Sequence, residues 1–167
     1  MKKIGIIITL CILLLYSLQM SATENSSTQQ AAPVYGIGSA QEDVALGQNN
    51  YTGLEEATNL ISQATLSIYL ESNRILRIVA YTLCTDVYDT VGFKDITIQR
   101  WINGTWSNVS VWSAYQNNTS SYLYDYSTAV TGGYYYRVAL THYAKEGWWI
   151  FADTQEIYNE TSYLWIE

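Results

Sequence analysis

The chain is poor in the residues from which many functional sites are built. Its 167 residues contain one histidine, two cysteines, one proline and eight Lys or Arg against fifteen Asp or Glu, a formal charge of −7. A single histidine and two distant cysteines, Cys11 and Cys84, exclude the ligand sets of structural or catalytic zinc. So few cations in an acidic chain leave no electrostatic footprint for nucleic acid or an anionic lipid surface. Glycine-rich phosphate loops are missing too, because Gly36-Ile37-Gly38 lacks the strand–helix context and the third glycine. No cofactor is expected.

What is abundant is apolar and aromatic. Met1-Lys2-Lys3 precedes an almost unbroken apolar run, Ile4–Leu18, followed by small and polar residues, the layout of a secretory signal peptide. At ~1.5 Å per residue that run reaches only ~22 Å, short of a ~30 Å hydrocarbon core. Residues 1–22 therefore read as a leader cleaved after Ala22, with an uncleaved anchor as the alternative. Cys11 lies inside the run after the bulky Leu10, which argues against lipidation. Removing 1–22 takes Lys2 and Lys3 and leaves six basic against fifteen acidic residues, a charge of −9. The expected location is extracellular, with no stable membrane insertion after cleavage. Cys84 is then a lone thiol, so an internal disulfide is ruled out and stability must come from an apolar core.

Residues 23–63 read as a linker, beginning with the polar stretch 23–33. Within it, Thr52 and Glu55 form a capping-box pattern and Leu54, Ala57 and Ile61 recur at helical spacing, predicting a short helix over 53–62. From residue 64 the period changes to two. Leu66, Ile68 and Leu70 alternate with smaller or more polar residues. Residues 75–83 are apolar on both faces, and Phe93–Trp101 and Thr105–Trp112 flank the hairpin dipeptide Asn103-Gly104. Tyr122–Tyr126, Tyr134–Ala144, Trp148–Phe151 and Tyr163–Ile166 complete the series, with turns at Thr131-Gly132-Gly133 and Lys145-Glu146-Gly147. Seven or eight short strands without intervening helices predict an all-β fold over 64–167, an antiparallel immunoglobulin-like sandwich. Tyr134 or Tyr136, at the start of the penultimate strand, is placed to bond back to the backbone as a corner tyrosine does in that fold.

Three segments carry a likeness. They are Thr82-Leu83-Cys84-Thr85, Gly92–Trp101 running into Asn103-Gly104-Thr105-Trp106, and Gly133–Val138 with Thr141-His142. In this order and spacing, over roughly residues 55–167, the chain resembles a family of small secreted proteins of Gram-positive bacteria with no agreed activity. The resemblance implies a signal peptide and an immunoglobulin- or fibronectin III-like domain, and leaves the ligand open. Trp148 and Trp149 depart from it, since polar or Gly-rich residues are more familiar there. It also makes the seven Asn-x-Ser/Thr sequons, at Asn25, Asn50, Asn103, Asn108, Asn117, Asn118 and Asn159, a by-product of composition rather than glycosylation sites.

Chemistry-bearing groups are scattered. With even positions inward on the Tyr134–Ala144 strand, His142 shares a face with Tyr136, Val138 and Leu140 and reads as a hydrogen-bonded core residue. Cys84 follows Leu76, Ile78 and Ala80 on one face and reads as a small buried hydrophobe. A Cys84–His142 nucleophilic pair is the catalytic alternative, but it requires an exposed, electropositive thiol. Asp86, Asp89 and Asp95 lie in or beside one loop. They read as solvated, with calcium as the alternative. The aromatic surplus is the strongest lead. Tyr135, Arg137, Thr141 and Tyr143 occupy the outward positions of their strand, and adjacent Trp148 and Trp149 should point to opposite faces.

Tyr135, Arg137, Tyr143, Trp148 and Trp149 are the candidate ligand-binding residues, because Tyr, Trp and Arg dominate interaction hot spots. The bland alternative is that such rings only pair across strands and stiffen the sheet. The expectation is a non-catalytic binding module for an extracellular glycan or protein. A self-associating envelope component is the alternative, and a small hydrolase is a distant third.

Overall fold

The computed structural model describes residues 44–46, 51–52, 59–72 and 74–167. Among these residues there are eight strands: β1 (Val44–Leu46), β2 (Tyr51–Thr52), β3 (Ile61–Ser72), β4 (Ile75–Ile102), β5 (Thr105–Ala129), β6 (Tyr134–Glu146), β7 (Asp153–Glu160) and β8 (Leu164–Ile166). They form one sheet in the order β1-β3-β4-β6-β7. β2 also lies on β3, β5 runs along the other edge of β4, and β8 lies on β6. Every pairing is antiparallel. The fold is therefore all-β, as expected, and no helix among the described residues is long and apolar enough to cross a membrane.

The organising elements are two very long strands where the sequence suggests several short ones. β4 spans 28 residues and β5 spans 25, joined by a tight turn in which Asn103 (φ 51°) and Gly104 (φ 81°) both take left-handed backbone. That conformation suits Asn-Gly and matches strand twist, so the hairpin expectation holds. Between Leu83↔Ser121 and Tyr88↔Thr119, four residues of β4 face Ser120 alone, making a crease. Before it, β4 pairs with β3; after it, the same edge pairs with β6. The sheet curls there and its two arms close on a shared core.

Burial records the folding over. Inward positions of β4 are even from Leu76 to Cys84, odd at Val91 and Phe93, and even again at Ile96 and Ile98. The second switch is a β-bulge at Asp95, whose positive φ of 50° inserts one extra residue opposite Ser113. Because strand side chains alternate, one inserted residue restores the apolar set to the inside. Leu66 and Ile68 of β3, Ile78 of β4, Val138 and Leu140 of β6, and Leu164 of β8 meet in the main core. Ile61, Ala64, Cys84, Val91 and Ala144 form a smaller cluster.

On β6 the even residues Tyr136 to Ala144 are buried, as the parity reading requires. The Tyr136 hydroxyl donates to the Thr131 carbonyl at 2.8 Å, five residues upstream. Tyr136→Phe should cost about 1 kcal/mol, since it strands that carbonyl. An unchanged urea midpoint would show that the bond carries no stability.

Three expectations need correction. Residues 53–58 of the expected helix lie outside the described residues, but its last two, Ile61 and Ser62, begin β3, and Ile61 is fully buried there. Trp148–Phe151 is not a strand: Gly147 (φ 84°) ends β6, and Trp149–Phe151 is a single 3₁₀ turn. The strand is β7, whose sequence is too polar to announce itself, with Ile157 and buried Asn159 on its inner side. In addition β1 and β2, inside the stretch read as linker, pair with β3.

Candidate binding surface

The outward row of β6 meets aromatic and charged groups from its neighbours on both sides. At one end, Tyr135 lies on the outer face but is only 4% exposed. β8 brings Trp165 opposite it, with ring centroids 4.8 Å apart, and Tyr163 meets its ring edge-on at 5.4 Å. Outward parity was read correctly; exposure was not, because the C-terminal strand could not be seen to cover this ring.

Arg137 is half-buried and fully engaged. Its Nε donates to Gln99 Oε1 at 2.7 Å, Nη1 pairs with Glu160 at 3.2 Å, and the guanidinium sits 4.6 Å from the Trp106 ring centre. Trp106 in turn packs edge-on against Trp101 at 5.2 Å. Tyr143 marks the other end of the row. Lys94 lies 4.1 Å over its ring and is ion-paired to Glu156, while Tyr115 meets the ring edge-on at 5.8 Å. Gly92 permits that last contact, since a Cβ there would come within 2.2 Å of the Ala114 carbonyl and 2.8 Å of the Tyr115 ring. These rings and ions stack across strands at roughly 0.2–1 kcal/mol per pair. They stiffen the sheet.

The β6–β7 tip is different in kind. Trp148 is 85% exposed, Ile150 74% and Phe151 83%. Among the described residues no ring contact involves Trp148 or Phe151, and Trp149 is described only by its place at the start of the 3₁₀ turn. The backbone beneath is tied down: Gly147 N–H donates to Asp89 at 2.9 Å and Phe151 N–H to the Trp148 carbonyl at 3.3 Å. Val87, on the crease next to Asp89, is exposed as well. Sequence reasoning singled out Trp148 and Trp149 but missed Ile150 and Phe151. The legible sign was an apolar run without alternation just after a glycine turn, a hairpin tip rather than a strand.

The reactive groups are spread through the core and crease. His142 is fully buried; its Nδ1 shares a 2.8 Å hydrogen bond with the Thr82 hydroxyl, Phe93 meets the ring edge-on at 5.2 Å, and Nε2 has no partner among the described residues. Burial pulls its pKa down to about 4, so the ring is neutral. Cys84 is buried in the smaller cluster, and desolvation pushes its thiol up to about 11. A protonated thiol is no nucleophile. Asp86 accepts from the Val87 N–H at 2.7 Å, Asp89 holds Gly147, and Asp95 occupies the bulge. Among the described residues no three His, Cys, Asp or Glu side chains converge on a metal-sized site.

Comparison with protein-family models, curated proteins and solved structures finds no match to the chain.

Proposed function

We propose that the protein is an exported, non-catalytic binding module that engages a partner protein through the tip formed by Trp148, Ile150 and Phe151. The exposure of these three side chains on a backbone pinned by Asp89 carries the reading. Fully burying each would gain roughly 1.5–3 kcal/mol, and the folded monomer leaves that gain unrealised. Rigid aromatic anchors on a fixed turn are the usual composition of a hot spot. A glycan is the other candidate ligand, but it needs hydrogen-bonding groups beside the rings, and Ile150 and Phe151 offer none. Export is supported by the leader-like residues 1–22 and by the resemblance to secreted proteins. The Tyr136–Thr131 bond supports an immunoglobulin-like reading of the fold. The neutral buried His142 and protonated Cys84 support the non-catalytic reading.

Replacing both Trp148 and Phe151 with Ala should weaken capture of the surface partner ~1,000-fold, since hot-spot truncations cost ~2 kcal/mol or more each. Circular dichroism and the melting temperature should not change. Pulldown from surface-protein extracts, run beside a glycan array, reads the result. A double variant that binds like wild type refutes the tip.

A further inference from the structure

Among the described residues β5 is an edge strand, and between its irregularities at Val109 and Asn118 it lacks the protection that edges usually carry. Among the described residues it pairs with β4 alone, so along its other side no second strand takes up its backbone N–H and C=O groups. Natural edges are blunted by lysine, proline, charge or short length. β5 has no proline and no Lys or Arg. Its one charged residue, Asp125, is held by Arg77 in two hydrogen bonds of 2.7 and 2.5 Å. From Thr105 to Tyr124 there is no charged side chain at all. The same molecule guards its other edge: β7 is eight residues long and carries Asp153, Glu156 and Glu160.

We infer that a second copy of this chain pairs along β5, the segment Ser110–Gln116 adding antiparallel to its own counterpart and extending the sheet through a two-fold axis. Self-complementarity selects this occupant, and the lack of charge permits it. Two copies that each carry −9 without residues 1–22 repel over most of their surfaces, and this part of β5 is where they can approach without opposing like charges. Local geometry selects the segment. A register shift between Ile98↔Ser110 and Gln99↔Asn108 leaves Val109 as an extra residue on β5, and Asn118 (φ 52°) turns the strand at the crease. The eight residues between are continuous strand. With Ser113 on the axis, exposed Val111 of each copy lies opposite Tyr115 of the other on the outer face, an apolar cross-strand pair formed twice. On this axis Ser110–Gln116 are the paired residues, and seven antiparallel pairs give roughly six to eight backbone hydrogen bonds, at the lower end of specific interfaces, so a weak dimer is expected.

This pairing uses a different surface from the Trp148 tip, and the two stand or fall separately. Sedimentation velocity of the purified protein from about 1 µM to about 1 mM should show a monomer–dimer shift. Val111→Lys should raise the dissociation constant at least ~10-fold with an unchanged circular dichroism spectrum. Amide exchange over Ser110–Gln116 of the wild type should slow at high concentration, a readout that needs no variant. A wild-type protein that stays monomeric throughout overturns the proposal. So does a folded Val111→Lys protein that dimerises normally, exchange that ignores concentration, or a dimer abolished by Trp148→Ala/Phe151→Ala.

Discussion

Phe93→Ala should remove about 4 kcal/mol of folding stability, the largest loss expected from any single core truncation here. Phe93 is fully buried where the two arms of the curled sheet meet. Its ring centroid lies 5.5 Å from Tyr122 and 6.0 Å from Tyr124 of the first arm, and 5.2 Å from His142 of the second. Truncation loses the transfer free energy of the ring and leaves a cavity that these three cannot collapse into, since each is held by its own strand. Phe→Ala changes in cores cost about 3–5 kcal/mol against a total stability of about 5–15. Urea denaturation should show a much lower midpoint with an unchanged slope. A loss below about 1.5 kcal/mol would mean that the arms do not close on this ring.

Acidification should destabilise the fold through the neighbouring residue. The His142 imidazole has an ordinary value of 6.5 and is held to about 4 in the folded chain, where burial disfavours its charged form and Nε2 has no partner among the described residues. Between those two values the unfolded chain binds the proton and the folded chain does not. Stability therefore rises with pH across this window; it is fully present above about pH 6.5 and is lost progressively toward pH 4. At about 1.4 kcal/mol per unit, the loss is on the order of 3 kcal/mol. The ring resonances of His142 should titrate with a midpoint near 4, and His142→Gln should flatten the dependence of stability on pH over this range. A midpoint near 6.5 would place the ring in water and refute its burial.

Much of the fold could be read from local pattern because local physics decides it. The even-inward parity of β6, the Asn103-Gly104 turn and a backbone bond from one of Tyr134 and Tyr136, which the structure places on Tyr136, each follow from a few consecutive residues. The expected break between short strands did not occur, because 113–121 contains neither Gly nor Pro to turn the chain tightly. A crease in β4 against Ser120 bends both strands instead, and it depends on pairing across some 35 residues. β7 was missed for a related reason: an edge strand that hides little apolar surface has no strong period.

The candidate surface divides the same way. Trp148 is legible because adjacent tryptophans beside a turn cannot both enter one core. Tyr135 and Arg137 are not, because β8 and Glu160 of β7 decide how much water reaches them.

From its sequence alone, this protein's strand content, the inward faces of β6 and the first half of β4, the sharp β4–β5 turn and the burial of its one histidine are determined, all by side-chain alternation and backbone preference over a few residues. Tertiary structure alone decided that two long strands serve both arms, that the C-terminal strand roofs over Tyr135, that the apolar tip stands free, and that β5 lies at an edge among the described residues. Those outcomes rest on contacts between segments far apart in the chain, and alternation within a single segment carries no record of which neighbour it will meet.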